Sequence, residues 1–194
     1  MRFLDSVRGG PACRFGDAHI YYVLHTLQRN GKMGRRNLAD AVGIGEGSLR
    51  TMIASLKEWD LLDVKQSGIA LSDIGRRFMS DIPMDLVDVP YSDYVLGAFQ
   101  SGALVRGAAD KVTDGMTQRD TAIIAGADGA SVFVMNDGVL MMPPTWSMDA
   151  HDKDFSDDLR SKVDMNDGDV LVISGAKDMD QAAVSAIAAG LEML

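Results

Sequence analysis

Cysteine is almost missing from this chain. Cys13 is its one thiol, so no internal disulfide can form and a disulfide-stapled secreted scaffold is excluded. No apolar run reaches the roughly 20 residues that span a bilayer, and no signal-peptide pattern is present, so a soluble, cytoplasmic protein is expected. Histidine is scarce too. His19 and His25 lie six apart on an expected helix and do not share a face, and His151 falls in an expected loop, so no metal site is expected. The chain lacks a P-loop, a glycine-rich dinucleotide fingerprint, a nucleophile elbow and a paired-glutamate motif. Neither a cofactor nor an enzymatic reaction is expected. Glutamate is the last shortage: 3 Glu stand against 25 Asp, beside 13 Met, the opposite of the Lys and Glu enrichment of hyperthermophiles. A moderate growth temperature follows, and either salt adaptation or genomic bias would account for the Asp excess.

What is present divides in two. The chain has 194 residues and a net charge of −9, long enough for two small cores. Up to Ile82 there are 12 Lys and Arg against 9 Asp and Glu, a net of +3; from Pro83 onward the counts are 7 and 19, a net of −12. Phosphate would be repelled by the back half, so any nucleic acid belongs to the front. Residues 1–82 are expected to form one domain and 92–194 another. Residues 83–91, with Pro83 and Pro90 bracketing a short stretch, read as an extended linker.

The front half has the order of a winged helix-turn-helix. A supporting helix is expected over Asp17–Leu27, with Ile20, Val23, Leu24 and Leu27 in one stripe and Asp17 as its cap. Arg35–Val42 is the next helix, Gly43–Glu46 the turn, and Gly47–Trp59 the recognition helix. Ala39 is small where the two helices touch, Gly43 supplies a positive φ, and Leu49 returns to the core. Leu49, Met52, Ile53 and Leu56 then recur at helical spacing, leaving Gly47, Ser48, Arg50, Thr51, Ala54 and Ser55 outward. Small residues let such a helix approach base edges, and the Arg50 guanidinium can fork onto a guanine or a phosphate. Leu61–Lys65 and Gly68–Leu71 are two strands joined through Gln66-Ser67, a wing with Lys65 near its tip. A further helix starts at the N-cap Ser72, with Ile74, Phe78 and Met79 inward. The expected DNA contacts are Ser48, Arg50, Thr51 and Ser55 in the groove and Arg35, Arg36 and Lys65 on phosphates. Arg2, Arg8 and Arg14 make the leading segment a basic arm or a frayed terminus.

The back half alternates strand and helix patterns, giving an α/β expectation within a chain that is α+β overall. Strands are expected at Val95–Ala98, Ala103–Val105 and Asp169–Ile173, and a hairpin at Ala130–Met135 and Val139–Met142 around Asn136-Asp137-Gly138. Helices are expected at Thr117–Ala125, Phe155–Val163 and Asp178–Leu194. Thr117 and Asp120 have capping-box form. Two places suit a small anionic effector: Gly115, Gln118 and Arg119 at a helix N-terminus, and Ser174 with Gly175 at an expected strand-to-helix turn. The last helix is apolar nearly all round, which predicts cover by its own sheet or by a second subunit.

The runs Phe15-Gly16-Asp17-Ala18-His19, Gly45-Glu46-Gly47-Ser48-Leu49-Arg50-Thr51, Gln118-Arg119-Asp120 and Gly126-Ala127-Asp128-Gly129-Ala130 resemble an archaeal family of predicted transcriptional regulators, over nearly the whole chain. That resemblance implies a winged helix joined to an α/β domain, and a role in regulation. The expected function is a DNA-binding regulator acting on double-stranded DNA as a homodimer. A winged-helix adaptor that docks on protein and leaves DNA untouched is the alternative.

Overall fold

A computed structural model describes residues 16–194, which form two compact units parted between Ile82 and Pro83. Arg2, Arg8 and Arg14 lie outside the described residues. The front unit is built on α1 (Asp17–Asn30), whose Ile20, Tyr21, Val23, Leu24 and Leu27 are almost wholly buried. Asp17 is not its cap. Gly16 is, and its N–H donates to His19 Nδ1 at 3.2 Å. Burial lowers the pKa of His19, which keeps the ring neutral and able to accept that bond.

Helix α2 (Arg35–Ala41) buries Leu38 and Ala39, and just past its end Gly43, with a φ of 62°, turns the chain so that the Ile44 N–H reaches the Ala39 carbonyl. Helix α3 (Glu46–Glu58) begins one residue earlier than its pattern implies, because the extended Gly45 takes the cap position. Its apolar stripe is the expected one, with Leu49, Met52 and Leu56 fully buried and Ile53 nearly so. Strands β1 (Leu62–Lys65) and β2 (Gly68–Leu71) pair antiparallel around Gln66-Ser67. Met33 adds a third, one-residue strand, exchanging both backbone hydrogen bonds with Ile69. Helix α4 (Asp73–Asp81) starts where Ser72 accepts from the Gly75 N–H at 2.9 Å. Ile74, expected inward, is 55% exposed. The inward positions are Gly75 and Met79, because the Gly75 Cα rests on the Leu61 carbonyl with no room for a Cβ.

The back unit is one six-stranded sheet in the order β3-β4-β8-β5-β6-β7, antiparallel throughout. Its strands are β3 (Met84–Val87), β4 (Phe99–Val105), β5 (Gly129–Asn136), β6 (Val139–Met142), β7 (Trp146–Ser147) and β8 (Val170–Ala176). The expected linker is thus partly sheet. Met84, Leu86 and Val87 pair with β4, and an edge strand tolerates the flanking prolines that made the segment read as a spacer. Val95–Ala98, expected as a strand, is a turn, and the strand starts at Phe99 instead. That turn lies over Gly129 and Gly175, where a Cβ would collide with Leu96 backbone. The hairpin β5–β6 turns through Asp137 (φ 49°) and Gly138 (φ 75°), the two positive φ values of a tight primed turn.

Helices α5 (Met116–Ile124) and α8 (Met179–Leu191) pack on each other and on the sheet, with α8 against β4 and β8. Gly190 of α8 sits against Met84, Ala103 and Val105. Helices α6 (Met148–His151) and α7 (Lys153–Lys162) bring Met148 and Leu159 to a core with Leu104, Phe133, Leu140, Leu171 and Ile173. His151 therefore closes a short helix, stacked on Trp146, and is not in a loop. The alternation along β8 sends Leu171 and Ile173 into that core and Val170 and Val172 to the opposite face. Helix α8, expected to be covered by its own sheet or by a second subunit, is covered within the chain: Ala182–Ile187 and Ala189–Leu191 are buried.

Candidate nucleic-acid interface and effector cleft

The outward face of α3 is set by the burial of its other face. Arg50 and Thr51 are exposed, and Ser48 and Ser55 are half-buried two turns apart along the same side. Thr51 Oγ1 donates to the Gly47 carbonyl at 3.3 Å and Ser55 Oγ to the Thr51 carbonyl at 3.5 Å. Both hydroxyls thus spend their proton inside the helix and present lone pairs outward, fit to accept from an adenine or cytosine amino group. Arg35 and Arg36 are exposed in the first turn of α2, and Lys65 is exposed at the end of β1. The wing holds one cation that the sequence reading missed. Lys32, just before the bridging Met33, donates from Nζ to Ser67 Oγ at 3.3 Å in the wing turn. A Lys-Met pair between Gly31 and Gly34 carries no strand signal, and only the Met33–Ile69 pairing shows its place.

In the back unit, Gly115 and Arg119 line a cleft of about 210 Å³ with Asp114, Ser131 and Pro143. Gly115, with φ 75°, is the cap of α5, and Asp114 accepts from the Met116 N–H at 3.0 Å. Thr117 is therefore inside the helix, and Asp120 does not reach back to close a capping box. It pairs with Arg119 instead, at 2.9 and 3.1 Å. Gln118 is buried. Ser174 and Gly175 do not join this cleft: both lie within β8, fully buried, rather than in a turn. Gly175 is small because Leu96 passes over it. In an antiparallel sheet there is no crevice at the carboxyl ends of parallel strands for a ligand to enter. Among the described residues, no group of three or more His, Cys, Asp and Glu is gathered to hold a metal ion.

Residues 96–193 match the family model described as a domain of unknown function, DUF4443, which is half of the chain. The chain belongs to the DUF4443 family. Residues 18–84 match the model described as the CggR N-terminal DNA binding domain. The chain is 36% identical over 62 residues to the central glycolytic genes regulator of Priestia megaterium (strain DSM 319 / IMG 1521), and 32% identical over 69 residues to that of Bacillus subtilis (strain 168). These stretches are 32% and 36% of this chain but only 18% and 20% of the relatives, so the chain spans about a fifth of their length. A hypothetical protein from Pyrococcus horikoshii OT3 shares the fold of this DUF4443 member, with a TM-score of 0.74 at 20% identity over 91% of each chain. The front unit is thus similar to a regulator's DNA-binding domain, and the DUF4443 domain is the acidic sheet unit behind it. No helix among the described residues is long and apolar enough to cross a membrane.

Proposed function

We propose that this protein is a DNA-binding transcriptional regulator in which α3 enters the major groove and the wing and α2 hold the backbone. The observation that carries it is the exposed face of Ser48, Arg50, Thr51 and Ser55 on a helix locked by Leu49, Met52 and Leu56, in a unit that matches a DNA-binding domain over residues 18–84. Arg50 reads a base edge, while Arg35, Arg36 and Lys65 neutralise phosphates. The DUF4443 domain brings two copies together, which gives a pair of readers and a two-fold operator. No catalytic step is part of this reading.

Effector control belongs to the cleft of Gly115 and Arg119. A small anion there would gain the Arg119 guanidinium and the α5 N-terminus, and must first displace Asp120. Control of DNA binding then requires that the anion favour one arrangement of the dimer over another. Fluorescence anisotropy on duplex from the chain's own upstream region, titrated in salt, tests the reading. Tight, salt-steep binding lost in Arg50→Ala supports it. An adaptor that docks on protein would show no binding at low salt and no response to the substitution.

A further inference from the structure

We infer that Lys32 is a phosphate contact of the wing, so that the wing tip is a two-lysine clamp made from three stretches of chain rather than a hairpin with one cation. The inference rests on the DNA-binding reading and adds to it a residue outside both the helix-turn-helix and the hairpin. Three observations place Lys32 at the tip. Gly31, with φ 72°, ends α1 and turns the chain back toward the wing. Met33 then exchanges hydrogen bonds of 2.9 and 2.8 Å with Ile69, which pins the neighbouring Lys32 beside the β1–β2 turn. Lys32 Nζ reaches Ser67 in that turn.

Gly68 is what leaves room for it. Its φ is 133°, and a Cβ there would stand 2.9 Å from Lys32 Cγ and 2.9 Å from the Met33 carbonyl. Gly68 also pairs with Lys65 across the hairpin, so the two lysines flank one glycine. The charge of Lys32 is available: its polar partner is a neutral hydroxyl, whereas Arg76 at the foot of the wing is held by Asp73 and the Leu71 carbonyl. An exposed ammonium set by backbone pairing loses less freedom on meeting a phosphate than one on a free loop.

The test is the salt dependence of DNA binding by the full chain, with Lys32→Ala, Lys32→Arg and Lys153→Ala, on the upstream duplex and on one of unrelated sequence. Each phosphate neutralised contributes about 0.9 to the slope of log affinity against log salt. Lys32→Ala is expected to lower that slope by about one and to weaken binding to both duplexes alike. Lys32→Arg should retain the slope, and Lys153→Ala, on the acidic unit, should leave it unchanged. Wild-type binding with the same slope in Lys32→Ala overturns this inference alone. No binding by the wild-type chain at low salt overturns the DNA reading, and the inference with it.

Discussion

Arg50 and Leu49 are neighbours in sequence with opposite environments, one exposed and one fully buried, so binding and folding are separable within two residues. Arg50→Ala is expected to weaken binding by about 1–3 kcal/mol, or roughly five- to 150-fold, if the guanidinium reads a base. The unfolding free energy from urea titration should stay within about 0.5 kcal/mol of wild type, as for an ordinary surface substitution. A large stability change would assign Arg50 a structural role instead. Gly75 poses the reverse question. Alanine is the better helix former by about 1 kcal/mol, so propensity alone makes Gly75→Ala stabilising. The structure predicts the other sign, because the added methyl would overlap the Leu61 carbonyl that α4 rests on. Forced repacking of this kind costs about 1–3 kcal/mol, and Gly75 is followed by urea unfolding of the front unit. A stabilised variant would refute the contact.

At the scale of elements, legibility followed locality. The stripe of α3, the Gly43 corner, the Ser72 cap and the β5–β6 turn each depend on residues within a few positions of one another, and each is where its pattern puts it. The caps of α1 and α5 were misread by a residue or two, and the larger misreadings concern long-range contacts. Ile74 lost its inward place to Gly75 because of Leu61, fourteen residues away in the chain by number, and Gly175 is small because of a turn near Leu96. Ser174 and Gly175 read as a ligand turn only while β8 was taken to end at Ile173; pairing with β4 and β5 carries the strand through Ala176. Lys32 was invisible for the same reason. One long-range network sets a prediction of its own. Arg160 on α7 donates to both Asp149 oxygens at 2.5 and 2.9 Å and to Ser156 and the Gly138 carbonyl, joining α7 to α6 and the hairpin turn. Arg160 chiefly, helped by Ser156 and the Leu140 N–H against the cost of burial, holds the Asp149 carboxyl far below the ordinary range. A depressed carboxyl stabilises the fold above its unfolded pKa, about 3.9, and that contribution is lost as pH falls toward the folded value. Arg160→Met should therefore be less stable at neutral pH and show a flatter stability profile below about pH 4. Urea unfolding across pH reads this directly, and an unchanged acid limb would show that Asp149 is held by other means.

For the whole molecule the charges pull in opposite directions. A front half of +3 favours DNA, a back half of −12 opposes it, and the repulsion acts over a Debye length of about 10 Å at 0.1 M salt. A single reader with so few cations gains little net attraction, so useful affinity calls for two readers on one duplex, where the second binds as an intramolecular partner. Helix α8 does not supply the contact, since its own sheet already covers it. The dimer proposed here is thus expected to form through another surface of the DUF4443 domain, with a solution mass twice that of the 20.9 kDa chain. Sedimentation equilibrium measures that mass, and a spacing series measures its use. Two inverted half-sites one helical turn apart, about 34 Å, should bind far more tightly than one half-site, and adding half a turn between them should abolish the gain. A monomer at every concentration, with affinity indifferent to spacing, would leave the winged helix acting singly and remove dimerisation from the role of the acidic domain.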